Sequence, residues 1–137
     1  MRALLALAAV ALLAGGATGC GGNDDAGWRP TGFDMEGFVH VAGQGTSEGQ
    51  PCQPGGAYSD LGIGTQVTIY NAAGEPIKLT SIGRSETQGR DCVLVFSAAR
   101  VPIEGKDAIY SVEVAHRGKV NFTQQQGQIG GLDLTIR

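Results

Sequence analysis

The chain has 137 residues, a net charge of -3 and 23 glycines. Nine of its ten Lys and Arg and all 13 of its Asp and Glu lie beyond Cys20. A mildly acidic chain without a basic face or a run of like charge excludes a nucleic-acid partner and a polyelectrolyte partner. Its length suits a single domain, and glycine at short intervals favours turns over helices.

Arg2 precedes an unbroken apolar run, Ala3 to Ala14, and a small-residue stretch, Gly15 to Gly19, leads to Cys20. The run is too short to span a bilayer comfortably, which takes about 20 residues. A charged start, a short apolar run and small residues before a cut mark a secretory signal. Ala17-Thr18-Gly19-Cys20 resembles a bacterial lipobox. That resemblance implies cleavage before Cys20, which becomes the first mature residue and carries a thioether-linked diacylglycerol, palmitate included; the alternative is an ordinary signal peptide with a chance cysteine. Two or more acyl chains make a lasting anchor where one does not.

Residues 1–19 are thus expected to be a lipoprotein signal peptide, residues 20–34 a lipid-anchored Gly/Asp-rich tether, and residues 35–137 the folded domain. Gly21 to Thr31 has no apolar period and would reach roughly 20 Å as a flexible coil. Trp28, the single tryptophan, is suited either to the membrane interface or to the domain edge.

Glu36 to Ala42 reads as a strand, and Gly43 to Gly56 as a long Gly- and Pro-containing loop that carries Cys52. Ala57 to Leu61 reads as a short extended piece. Thr65 to Tyr70 alternates, with Val67 and Ile69 on one face and Gln66, Thr68 and Tyr70 on the other. Asn71 to Pro76 is turn chemistry, and Ile77 to Ile82 resumes the alternation, with Ile77 and Leu79 on the apolar face and Lys78 and Thr80 on the other, so the two runs form an antiparallel hairpin. Ser85 to Arg90 reads as a polar loop. Cys92 to Phe96 is apolar on both faces and is expected to be the central strand.

Val101 to Asp107 reads as a crossing loop. Ala108 to His116 alternates, Arg117-Gly118 is a tight turn, and Lys119 to Thr123 returns with Val120 and Phe122 inward. Gln124 to Gly131 is polar and Gly-rich, and Leu132 to Arg137 closes the chain as a strand. No helix is expected after Cys20. About seven short strands, most with one apolar face, predict an all-β fold: an antiparallel β-sandwich, immunoglobulin-like or transthyretin-like.

Once Cys20 is assigned to lipid, Cys52 and Cys92 remain. An even pair in an exported domain points to a disulfide, the alternatives being a metal or a redox pair, which usually sits as Cys-x-x-Cys. His40 and His116 lack ligand spacing, so no metal site is expected, and no cofactor is expected either. Ser59 and Ser85 lack a nucleophile elbow, the aspartates make no calcium loop, and no nucleophile, base and orienter assemble, so an enzyme is not expected. His116-Arg117-Gly118 reads first as turn chemistry and second as a ligand-facing tip.

Cys52, Gly56-x-Tyr58-x-Asp60, Gly64 to Thr68, Gly74, Cys92-x-Leu94-x-Phe96, Val101-Pro102 and Tyr110-x-Val112-x-Val114-x-His116-Arg117-Gly118 together resemble a group of small exported actinobacterial proteins and lipoproteins of unknown function. The likeness covers about residues 50–123. It implies an envelope location and the Cys52–Cys92 bridge, and supplies no mechanism. The expectation is a cell-membrane protein, lipid-anchored on the extracytoplasmic face, acting as a non-catalytic binding or scaffolding module with an envelope protein partner. The alternative is an accessory or substrate-binding subunit of a membrane transporter or envelope enzyme complex. Oligomeric state is not legible in the sequence.

Overall fold

A computed structural model describes residues 30–137; Cys20, Trp28 and the signal and tether expectations up to Arg29 lie outside the described residues. Seven strands follow one another: β1 (Gly32–Val41), β2 (Gln66–Tyr70), β3 (Pro76–Gln88), β4 (Asp91–Pro102), β5 (Ile109–Val114), β6 (Lys119–Thr123) and β7 (Leu132–Ile136). A 3-10 turn, Gly56–Tyr58, precedes β2, and a short helix α1 (Gln124–Gln128) joins β6 to β7.

The all-β expectation holds, but the strands form one sheet in the order β6-β5-β2-β3-β4-β1-β7, curled until it is nearly a barrel. The expected antiparallel arrangement is corrected at one place: β7 runs parallel to β1, while every other pair is antiparallel. The sheet stays continuous because β3 is longer than the sequence suggests. Its first half pairs with β2 as far as Ser81, and its second half pairs with β4 from Ile82 to Gln88. The register breaks between Ile82 and Arg84, around Gly83, and the strand turns the corner there. Ser85 to Gln88, expected to be loop, is therefore strand, and only Gly89 and Arg90 make the turn into β4. Gly89 supplies the positive φ of 62° that the first central position of such a two-residue turn requires.

A single core fills the interior. Val39 and Val41 of β1, Val67 and Ile69 of β2, Leu94 and Phe96 of β4, Val112 and Val114 of β5, and Leu134 of β7 all belong to it. Each such side chain stabilises the fold by roughly 1.5–3 kcal/mol relative to exposure. β4 is buried on both faces, as its sequence predicts: Val93 is 0% and Val95 4% exposed on the outer side. Among the described residues no second layer covers that side. The register instead flanks Val93 with His40 and Glu86, and Val95 with Phe38 and Arg84. Arg84 is held between Glu36 at 3.3 Å and Glu86 at 3.8 Å, which keeps these long side chains on the same outer face as the valines.

Two hairpin expectations change. Thr68 is only 7% exposed, because its hydroxyl accepts from Gln66 Nε2 at 3.1 Å on a face crowded by neighbouring strands. Leu79 points outward, since an irregularity opposite Ile69 and Tyr70 shifts the register and leaves Ile77 alone packed against the core.

One end of the barrel is aromatic. Phe33, Tyr110 and Phe122 stack with centroids 5.4 and 5.5 Å apart. The Tyr110 hydroxyl donates to the Pro102 carbonyl at 3.1 Å and accepts from the Glu104 N–H at 3.0 Å, so its burial leaves no polar atom unmet. β4 reaches this end through a bulge at Arg100, whose φ of 55° is accommodated because Asp34 accepts its N–H at 2.8 Å. The segment expected to cross as a loop from Val101 is thus still strand to Pro102.

Helix α1 overturns the expectation of no helix. Thr123 and Gln126 form a reciprocal capping box, the Thr-x-x-Gln signature that the polar composition masks. Gly127 lets the helix press onto the aromatic end, since a Cβ there would stand 3.2 Å from Phe122 and 3.3 Å from Phe33.

The other end is closed by the loop after β1. Cys52 and Cys92 are joined in a disulfide that ties this loop to β4. Thr87 organises the rest: its N–H donates to Gln50 O at 2.8 Å, its carbonyl accepts Gly49 N–H at 2.9 Å, and its hydroxyl accepts Thr46 N–H at 3.0 Å. Gly45 must be glycine in substance, for a Cβ there would lie 2.8 Å from the Arg90 backbone.

Candidate binding site at the β6–β7 seam

Among the described residues the two strands that end the sheet order, β6 and β7, face each other without pairing, and each keeps one free edge. On β6, Phe122 lies opposite Tyr110 and Val120 opposite Val112, so both point inward. Phe122 is buried beneath the α1 end. Val120 is 47% exposed. An inward-facing valine left that open means the seam is covered at the helix end and uncovered at the other.

There a groove of about 270 Å³ opens, with Val112, Val114, Val120, Leu134 and Ile136 as its apolar lining. Arg117 and Gly118 form its mouth, and Asp133 and Thr135 its β7 rim. A second, wider depression continues from it past Arg117, Thr135 and Ile136 to Asp60, His116 and Arg137.

The mouth is built by the β5–β6 turn. Ala115 at φ 53° and Gly118 at φ 87° reverse the chain, and Arg117 N–H bonds back to Val114 O at 3.2 Å. A non-glycine residue in the left-handed region costs about 1–3 kcal/mol and persists where its surroundings hold it; here Ala115 N–H donates to Gln66 O at 2.9 Å. Arg117 then clamps the preceding loop. Its Nε donates to Asp60 Oδ2 at 3.0 Å, its terminal nitrogen donates to Asp60 Oδ1 and to Ala57 O at 2.6 Å, and its guanidinium lies 5.2 Å from the Tyr58 ring.

The Arg117 hydrogen bond holds the Asp60 carboxyl below its ordinary value and raises the guanidinium's own. On the outer face beyond, Tyr70 donates to Glu113 at 2.8 Å, which pushes the phenol up, and Lys119 Nζ sits 3.7 Å from the Tyr70 ring centre.

The structure therefore places His116, Arg117 and Gly118 at the mouth of the groove, although Arg117 is largely committed to Asp60. His40 lies elsewhere, on the outer face of β1, 3.4 Å from Asp133. Among the described residues no three of His, Cys, Asp and Glu gather as a metal-binding set. Sequence reasoning pointed Val120 inward but could not see that none of the described residues covers it. That follows only from strand order, which leaves β6 and β7 as the two ends. Comparison with protein-family models, with curated proteins and with solved structures finds no match to this chain.

Proposed function

We propose that this protein is a lipid-anchored, extracytoplasmic, non-catalytic binding module whose site is the β6–β7 seam. The lipobox-like ending at Cys20 supports the anchor, and the register break around Gly83, where β3 passes from β2 to β4, supports reading the curled sheet as two sandwich-like halves. The observation that carries the binding reading is the half-exposed, inward-facing Val120 at the head of an apolar groove. A soluble domain gains nothing by leaving part of its interior uncovered, so a site that does so is reserved for something else.

Two measurements on the full chain test the two halves of this reading. Cys20→Ala should move the protein from the membrane fraction to the medium, or leave an uncleaved precursor; mature-sized protein that stays in the membrane contradicts lipidation. A photo-crosslinking residue at Val120 should give one discrete adduct in intact envelopes, where the same residue at exposed Ile63 gives none. Equal labelling from both positions contradicts a seam site.

A further inference from the structure

The walls of the seam narrow the kind of ligand it takes. β6 and β7 are each five residues long, or about 17 Å at the usual strand rise. Each has one neighbour in the sheet, so the N–H and C=O groups on the opposite side of each strand turn toward the seam. Their chain directions are opposed, because α1 connects them as a return. The groove between them is apolar at its floor and polar along both walls.

A hydrocarbon tail would satisfy the floor and would strip water from the walls without replacing its hydrogen bonds, a cost of roughly 1–3 kcal/mol for each group left unmet. An extended backbone meets both walls at once, and its alternate side chains reach the floor. It would also bring the sheet to eight strands, a number at which a closed barrel's interior is just filled by its side chains. Charge selects one end of such a strand: His116, Arg117 and Arg137 line the mouth, where the Asp60 carboxylate is already taken by Arg117, while Asp133 on the β7 rim lies 3.4 Å from His40.

Resting on the seam reading above, we infer that the ligand is an extended polypeptide segment, with apolar side chains at alternate positions and an acidic residue at the His116–Arg137 end, which adds as an eighth strand between β6 and β7 along the part of the seam that α1 leaves open. The partner's main chain supplies hydrogen bonds to both edges. Its inward side chains cover Val120, Leu134 and Ile136.

β7 ends at the mouth, so the strand can be supplied from the chain itself. The full chain is extended beyond Arg137 by Asn-Gly-Glu-Val-Thr-Val-Thr, where Asn-Gly makes a two-residue hairpin turn and the tether raises the local concentration to the millimolar range. A control carries proline at both added valines and cannot pair. A third arm titrates the unextended chain with sodium decanoate, an anionic amphiphile without a backbone.

The expected result is cross-strand nuclear Overhauser contacts from the added strand to both β6 and β7, at least tenfold slower exchange of seam-facing amides, and a raised Tm, all absent from the proline control. Contacts to β7 alone, or to neither strand, overturn the inference. If decanoate then shifts the Val120 and Leu134 methyls saturably, the seam remains a binding site and only the strand reading falls. If decanoate also leaves them unmoved, the seam reading falls with it.

Discussion

Gly37 in β1 stands directly opposite Phe96 in β4, and the tip of the ring occupies the space a side chain would take. A Cβ built at Gly37 would be 2.1 Å from Phe96 Cζ and 2.3 Å from Cε1. Ordinary carbon contacts need about 3.5–4.0 Å, so the ring tip must retreat by about 1.4–1.9 Å. It has nowhere to go, because Phe96 is fully buried and Ile82 flanks it on the other strand. Gly37→Ala should therefore destabilise by about 2–3 kcal/mol, the upper part of the range for overpacking.

Phe96→Leu removes the clashing ring, and the alanine methyl then occupies part of the space it leaves. The double variant should be more stable than the sum of the single effects predicts, by at least about 1 kcal/mol. Urea denaturation of the full chain with the bridge intact, read by tyrosine fluorescence and by circular dichroism, supplies the four midpoints of the cycle. A near-neutral Gly37→Ala, or strictly additive single effects, would refute the packing of Phe96 on Gly37.

Other consequences are sharp enough to measure. Val93→Asp should cost more than Val95→Asp, since the register places Glu86 and His40 beside the first and Arg84 beside the second; equal costs in denaturation would mean the flanking charges do not reach the valines. Replacing Cys52 and Cys92 together by Ala should lower stability by about 4 kcal/mol on the chain-entropy account for their separation of 40 residues, and a midpoint unchanged from that of the oxidised parent would contradict a stabilising bridge.

Asp60 titrates below its ordinary 3.8 in the folded chain, foremost through its Arg117 hydrogen bond. The unfolded chain therefore takes up the proton first as pH falls. The contribution is present above that ordinary value and is lost as pH drops through the folded one. The stability gap between the parent and Asp60→Asn should close over that acid window, and a gap independent of pH would show that the pair does not hold the turn.

Much of the fold is legible along single strands. The alternation of Val67 and Ile69, of Tyr110, Val112 and Val114, and of Leu132 and Leu134 identifies their inward faces, and the doubly apolar Cys92 to Phe96 identifies the strand that is buried on both sides. The misreadings occur where local chemistry and tertiary pairing disagree. Ser85 to Gln88 is polar yet extended, because Thr87 and Ser85 spend their hydroxyls on the disulfide loop rather than on solvent. Leu79 looks like a core residue until a register shift turns it out. The capping box of α1 is written in Thr123 and Gln126 but is hidden by the low helix propensity of a glycine-containing run.

The site was half legible. His116-Arg117-Gly118 stands out as a turn, and its residues do sit at the groove. The clamp from Arg117 to Asp60, 57 positions away, and the exposure of Val120 depend on which strands become neighbours, and no local pattern encodes that.

The central claim is that β6 and β7 face each other unpaired. Hydrogen exchange of the free, full-length protein, followed amide by amide, tests it most directly. The seam-facing amides of residues 119–122 and of Leu132–Ile136 should exchange at least about a hundredfold faster than the paired amides of β1 and β4, because only the latter wait for larger openings of the fold. Seam-facing amides as slow as those of β4 would mean that the barrel is already closed and that there is no groove for a partner to fill.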